Sequence, residues 1–141
     1  MREIVECLAR GGVVLLPTDT VYGLAVSPKF DESITRLFAL KRRPRNVNLP
    51  IMVASDTELE GLGFEVSESA RKLLRSPLIP GSLTLAMGFS SDSRPAWLTG
   101  REEAAVRIPN DERLLSVLRE IGPLLVTSAN AHSAETPDNV A

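Results

Sequence analysis

Apolar positions recur at helical spacing from the start of the chain. Ile4, Val5 and Leu8 form one such set and Gly11-Gly12 follows it, so residues 2 to 10 are expected to form a short helix. Val13-Val14-Leu15-Leu16 is apolar without alternation, the pattern of a strand covered on both faces, and Pro17 ends it. Thr18 to Gly23 then reads as a polar loop at that strand's carboxyl end. Asp31 is placed to cap a second helix whose Ile34, Leu37, Phe38 and Lys41 repeat at i, i+3, i+4 and i+7, and Pro44 forbids its continuation.

Leu49 to Ala54 predicts a strand, and Ser67 to Leu74 a helix with a Ser-x-x-Ala opening. Pro77 and Pro80-Gly81 mark a turn. Leu83 to Met87 and Ala104 to Ile108 are two further strands, separated by a polar surface loop that carries Trp97 at its far end. Asn110 is read as the cap of a helix with Leu114, Leu115, Val117, Leu118 and Ile121 inward and Gly122-Pro123 as its stop. Leu124 to Thr127 is the last strand, and Ser128 to Ala141 is polar with no further element. Helices alternating with strands argue for an α/β protein, a mixed open sheet with helices packed on it; the two close strands in the middle argue for some antiparallel pairing.

Composition narrows the class. At 141 residues one domain, 1–141, is expected, and 43% hydrophobic with 24% charged residues is the balance of an ordinary folded protein. No window approaches the roughly 20 apolar residues needed to span a bilayer, and Met1-Arg2-Glu3-Ile4 lacks a signal-peptide core, so no membrane partner and a cytoplasmic location are expected. Cys7, the single cysteine, fits a reducing compartment and reads as a small apolar residue. The net charge of −2 argues against a uniformly basic nucleic-acid coat, but it hides the dense run Lys41, Arg42, Arg43 and Arg45.

That run is the first candidate for chemistry. Four cations within five positions repel one another, a polyphosphate would offset them, and Pro44 fixes the backbone that fans them out. A solvated helix end complementing the dipole is the competing reading. Three loops, Thr18 to Gly23, Lys41 to Asn48 and Ser128 to Asn130, flank strand ends, where open α/β sheets bind ligands. In Pro80-Gly81-Ser82-Leu83-Thr84 the glycine permits close backbone approach and Ser82 and Thr84 offer hydroxyls. Arg107 lies in an apolar strand, where a buried cation needs a partner; an edge strand that turns it to water is the alternative. Thr127-Ser128-Ala129-Asn130 offers short polar groups that serve either a ligand or their own turn. There is no phosphate loop, no dinucleotide fingerprint and no paired-cysteine metal pattern, and the only histidine is His132, in the polar tail. No metal ligands are assigned, and catalysis is expected to rest on positioning and charge neutralisation rather than on a nucleophile.

Taken together the chain resembles the YrdC/YciO family, the threonylcarbamoyl-adenylate synthases. The likeness runs from about Val13 to Asn130 through Pro17-Thr18-Asp19-Thr20-Val21-Tyr22-Gly23-Leu24, Lys41-Arg42-Arg43-Pro44, Pro80-Gly81-Ser82-Leu83-Thr84, Val106-Arg107-Ile108-Pro109 and Ser128-Ala129-Asn130, in that order. It implies a twisted sheet with a concave, basic face. It also implies a nucleotidyltransferase reaction in which L-threonine, bicarbonate and ATP, with Mg2+ accompanying the nucleotide and no tightly bound cofactor, give threonylcarbamoyl-AMP and pyrophosphate for tRNA N6-threonylcarbamoyladenosine. Residue by residue it implies that Thr18, Thr20, Tyr22 and Arg107 hold threonine. Lys41 and Arg43 would face the triphosphate as the catalytic cations, and Thr84, Ser128 and Asn130 would complete the nucleotide contacts.

Two departures shape the expectation. Ser128-Ala129-Asn130-Ala131-His132-Ser133-Ala134 lacks the family's Ser-Gly stretch and the sequence stops at Ala141, which implies a short or C-terminally truncated member. Asn46-Val47-Asn48-Leu49-Pro50 differs from the family's usual Pro-Leu after the basic motif. A sheet edge left open by a missing strand would be covered by a second copy in a homodimer or by a tRNA-modification partner protein. The alternatives to synthesis are a catalytically degenerate module that binds nucleotide, double-stranded RNA or tRNA, and carbamoyl-adenylate chemistry on another acceptor.

Overall fold

The structure, a computed structural model, describes residues 2–18, 22–41, 49–77, 79–81, 83–90, 94–98 and 101–128, the side chains of Lys41 and Ser128 excepted. Its centre is a six-stranded sheet: β1 (Val14–Pro17), β2 (Tyr22–Val26), β3 (Ile51–Met52), β4 (Thr84–Gly88), β5 (Glu103–Arg107) and β6 (Leu124–Ser128), in spatial order β1-β2-β6-β3-β5-β4. Only β3 and β5 run parallel; the other four pairings are antiparallel. The mixed α/β sheet and the antiparallel central pair are as expected from the chain's pattern.

Among the described residues four α-helices accompany the sheet: α1 (Arg2–Ala9), α2 (Asp31–Lys41), α3 (Glu68–Leu74) and α4 (Glu112–Ile121). Helix α4 buries Leu114, Leu115, Val117 and Leu118, and α1 buries Val5 and Leu8. Ile4 of α1, Leu114 and Val117 of α4, and Leu16 of β1 line one cavity of about 540 Å³, so these two helices cover the face of β1 that carries Leu16. The exposed Arg2–Glu120 ion pair, 3.2 Å long, joins the two helices. Such a pair contributes at most about 1 kcal/mol, less than one of the buried leucines at about 2 kcal/mol, so the docking is an apolar event.

Several expectations change. Residues 13–16 are not a strand covered on both faces: β1 is an edge strand whose Leu16 is buried while Leu15 is 41% exposed. Its last residue, Pro17, cannot donate to a ladder, which suits an edge. The apolar run after the polar motif is itself a strand, so residues 14–17 and 22–26 pair as antiparallel neighbours, with Pro17↔Tyr22 the last pair of the register. The strand expected over 49–54 shrinks to Ile51–Met52, although Val126 N–H donates to Pro50 O at 3.2 Å and Val53 N–H to Arg107 O at 3.1 Å. The last strand in sequence is not last in space but lies between β2 and β3.

The cap of α4 also moves by one residue. Asp111, in an extended conformation, accepts from Arg113 N–H at 3.0 Å and Leu114 N–H at 3.1 Å, satisfying two amides of the first turn. Ser67 caps α3 as its spacing implied, accepting from Ala70 N–H at 3.1 Å. Among the described residues no helix is long and apolar enough to cross a membrane. Asp111→Ala is expected to cost about 1 kcal/mol in urea unfolding and Asn110→Ala about half that or less. Equal losses would return the cap to Asn110.

Candidate functional site

Four chain segments meet at one end of the sheet. The antiparallel registers Pro17↔Tyr22 and Gly23↔Ser128 put the carboxyl end of β1, the amino end of β2 and the carboxyl end of β6 side by side. Because β3 is antiparallel to β6, its amino end, which receives the chain from residues 42–48, lies there too. Helix α2 begins after the opposite end of β2, and its 11 residues rise about 16 Å, the length needed to bring Lys41 back toward this end. The described strand ends that flank the three loops singled out in the sequence therefore lie at one end of the sheet, and those of β2 and β3 are amino ends because the sheet is mixed.

Gly23 explains how β2 sits against β6. A Cβ at this position would lie 2.8 Å from Val126 Cγ1, 3.2 Å from Thr127 O and 3.6 Å from Thr18 Cγ2. The missing side chain is what lets Val126 and Thr18 close over β2. Thr18 is therefore held on the same face of the sheet as Val126.

The second group of candidates lies two and three strands away. Thr84 and Arg107 are direct cross-strand partners on β4 and β5, so the two distant motifs that carry them meet. Arg107 Nε donates to Gly81 O at 2.8 Å, and Gly81 N–H donates to Ile108 O at 2.9 Å. The Pro80-Gly81 turn thus holds the guanidinium stem in one orientation. Arg107 is not turned to water from an edge strand, because β4 lies outside β5; it is half-buried and partnered.

Strand alternation decides which candidates can share a ligand. Through the pairs Met52↔Arg107 and Leu124↔Met52, Arg107 and Thr84 project from the face that carries Leu124, Val126 and Gly23. Thr18 is on that face too. Over β1, β2 and β6 this face is buried, whereas over β4 and β5 it is open, with Thr84 and Ala86 exposed and Ala105 and Arg107 half-buried. From Gly23 to Arg107 the register gives three strands across and about four residues along, roughly 20 Å, the reach of an extended nucleotide with a second small substrate. Tyr22 departs from this face: paired with Pro17, its Cβ leaves from the reverse side, where the residue is 39% exposed.

Thr20, Arg43 and Asn130 lie outside the described residues, as does His132. Lys41 and Ser128 are fixed by their backbones, as the last residues of α2 and β6. Ala86 and Ala105, which floor the open face between Thr84–Arg107 and the sheet end, were passed over in the sequence. The signal was present in the alternation of 103–107, where Ala104 and Val106 are buried and their neighbours are not. Among the described residues no group of three or more His, Cys, Asp or Glu side chains is placed to hold a metal ion.

The Sua5/yciO/yrdC family, described as "Telomere recombination", matches residues 6–141. The chain belongs to this family. It is 33% identical over 132 residues to a protein of Bacillus subtilis (strain 168) named threonylcarbamoyl-AMP synthase, covering 92% of this chain and 38% of that one. It is 32% identical over 142 residues to the protein of the same name from Pseudoalteromonas translucida (strain TAC 125), covering 97% and 74%. Among solved structures, P. abyssi Sua5 complexed with L-threonine superposes with a TM-score of 0.79 at 35% identity, covering 92% of this chain and 38% of the other. The chain thus spans about two fifths of the Bacillus and P. abyssi proteins and about three quarters of the Pseudoalteromonas one.

Gly23→Ala tests the close approach of β2 to β6. Val126 is β-branched and cannot swing its methyl aside without cost, so a loss of about 1–3 kcal/mol is expected, read as a lower urea midpoint at unchanged slope. Adding Val126→Ala to Gly23→Ala should cost less than the sum of the two single changes. Strict additivity would mean that the two side chains do not compete for one space.

Proposed function

We propose that this protein makes threonylcarbamoyl-AMP from L-threonine, bicarbonate and MgATP, releasing pyrophosphate, as a step toward threonylcarbamoyladenosine in tRNA. The observation that carries this reading is the sharing of one sheet face by Thr18 and the Thr84–Arg107 pair. It occurs in a chain related over nearly its full length to proteins named for that reaction. A cytoplasmic site of action goes with ATP and tRNA as reactants.

The chemistry asks for alignment and charge neutralisation. Threonine nitrogen adds to the carbon of bicarbonate and water leaves, giving a carbamate. A carbamate oxygen then bonds to the α-phosphorus of ATP as the bond from that phosphorus to the bridging oxygen breaks, and pyrophosphate leaves with the electron pair. Arg107, its Nε held by Gly81 O, is suited to grip the carboxylate of threonine through its fork. Thr18, whose Cγ2 lies over Gly23 on that face, would orient the amino acid through its hydroxyl. Lys41 and Arg43 would offset the charge on the triphosphate, while Ser128, Asn130 and Thr84 contact the nucleotide. Mg2+ enters with the phosphates as part of the substrate. Holding the carbamate and phosphate in line supplies the acceleration, with no covalent enzyme intermediate.

Purified protein given ATP, bicarbonate, Mg2+ and threonine should release pyrophosphate only when threonine is present; release that ignores threonine, or none from folded protein, overturns the reading. Arg107→Ala is expected to raise the KM for threonine about 10- to 100-fold, the loss of a charge-assisted hydrogen bond, with a smaller change in the KM for ATP. ATP and threonine together should raise the melting temperature more than the sum of their separate effects. A rise with ATP alone would point to a binding module, and turnover with a different amino acid to another acceptor.

A further inference from the structure

β1 is the outer strand on one side of the sheet, and its proline fixes which of its backbone groups face outward. Pro17 has no N–H, so its pair with Tyr22 is one in which the two residues exchange no hydrogen bonds. The two kinds of pair alternate along an antiparallel ladder, so Leu16↔Gly23 and Val14↔Ala25 are the hydrogen-bonded ones. Leu15 therefore turns its N–H and C=O away from β2, as Pro17 turns its C=O and, by the same alternation, Val13 both of its groups. Among the described residues no turn or loop hydrogen bond reaches Val13, Leu15 or Pro17. The side chains add to this open edge. Leu15 and Pro17 alternate onto one face, Tyr22 opposite Pro17 joins them, and all three are exposed. That face is the reverse of the one carrying Thr18, Thr84 and Arg107. No charged residue lies between Arg10 and Asp19, whereas charge is a common guard of an outer strand.

The sheet's other outer strand is not its equal. At the Gly88 end of β4, Glu65 N–H donates to Gly88 O at 2.9 Å, Ser90 N–H donates to Gly63 O at 3.0 Å, and Phe64 bridges Phe89. A β1–β4 contact, which would build open filaments, meets that segment. We propose that a second copy of this chain covers the open edge, β1 pairing antiparallel with β1 of the other copy about a two-fold axis at Leu15, so that two six-stranded sheets become one continuous sheet. In this register the two Leu15 residues exchange both of their hydrogen bonds, and each Val13 N–H meets the Pro17 C=O of the other copy. The N–H that proline lacks would face Val13 C=O at the margin of the overlap, so the centre of the ladder is intact. Leu15 packs on Leu15 across the axis, and the flanking Tyr22 rings extend the apolar contact. An interface built from one patch used twice sets like charges opposite one another, and β1 carries none. So short a ladder belongs with small interfaces, below about 1,200 Å² in total, and the dimer forms and dissociates with concentration. It does not depend on the reaction proposed above.

Sedimentation velocity of the full chain, from low to high micromolar concentration, should show monomer converting to dimer and to nothing larger. Leu15→Lys and Leu15→Glu each set like charges face to face and should lower the association constant at least about tenfold. Both should melt close to the wild type, because Leu15 is exposed. An equimolar mixture of the two variants should recover the dimer, since opposite charges then meet across the axis. In amide exchange the Leu15 N–H should be protected in concentrated wild-type protein and unprotected in dilute protein, whereas the Leu16 N–H is protected in both. A wild type that stays monomeric throughout overturns the proposal and leaves the edge to a strand of another protein. Open-ended oligomers, a Leu15→Lys variant that dimerises as the wild type does, a mixture that stays monomeric, or Leu15 exchange independent of concentration would each overturn it too.

Discussion

The sheet depends on the insertion of β6 between β2 and β3. Leu124, Leu125 and Val126 are all nearly inaccessible, and the strand is paired on both sides. Burying three such side chains is worth roughly 6 kcal/mol, comparable to the whole stability of a domain this size. The strand arrives after β1 to β5 have been made, so the two halves of the sheet, β1–β2 and β3–β5–β4, are joined only through it. Whatever chemistry the two halves share is assembled by that closure.

Close approach at the seam follows from small residues. Gly23 has no side chain where Val126 and Thr18 need the space, so β2 lies closely against β6. On the other half, Arg107 is held by the turn carbonyl of Gly81 and paired with Thr84. A rigid framework of this kind suits a reaction that proceeds by aligning two charged reactants rather than by attack of an enzyme nucleophile. The two outer strands differ in their protection. Beside β4, residues 63–65 return and bond to Gly88 and Ser90, whereas among the described residues no strand pairs with the outer edge of β1.

Local signals in the chain carried most of the elements. Helical spacing in 2–10 and 112–121, the Ser67 cap and the glycine stop at Gly122 each depend on neighbours within one or two turns, and each matches the structure closely. The errors fall where a distant partner decides. Residues 13–16 are apolar enough for a covered strand, but nothing within them says that only β2 will pair with them. Asp111 and Asn110 are equal as caps in sequence, and the extended backbone at Asp111 selects between them. The motif order that marks the family was likewise readable, because each motif is a short local pattern.

The chain's own order of residues determined the class of fold, the family and the residue types available for the site: hydroxyls near Thr18, a guanidinium at Arg107, a basic run from Lys41. What only the tertiary structure decided is which of them share a face. Strand alternation turns on register, and register is set by pairings between residues up to 105 positions apart, such as Gly23 with Ser128. That register sends Thr18, Thr84 and Arg107 to one side of the sheet and Tyr22 to the other, although Tyr22 stands four residues from Thr18 in the same motif. A side chain's direction is a property of the sheet, and a single strand's sequence does not contain it.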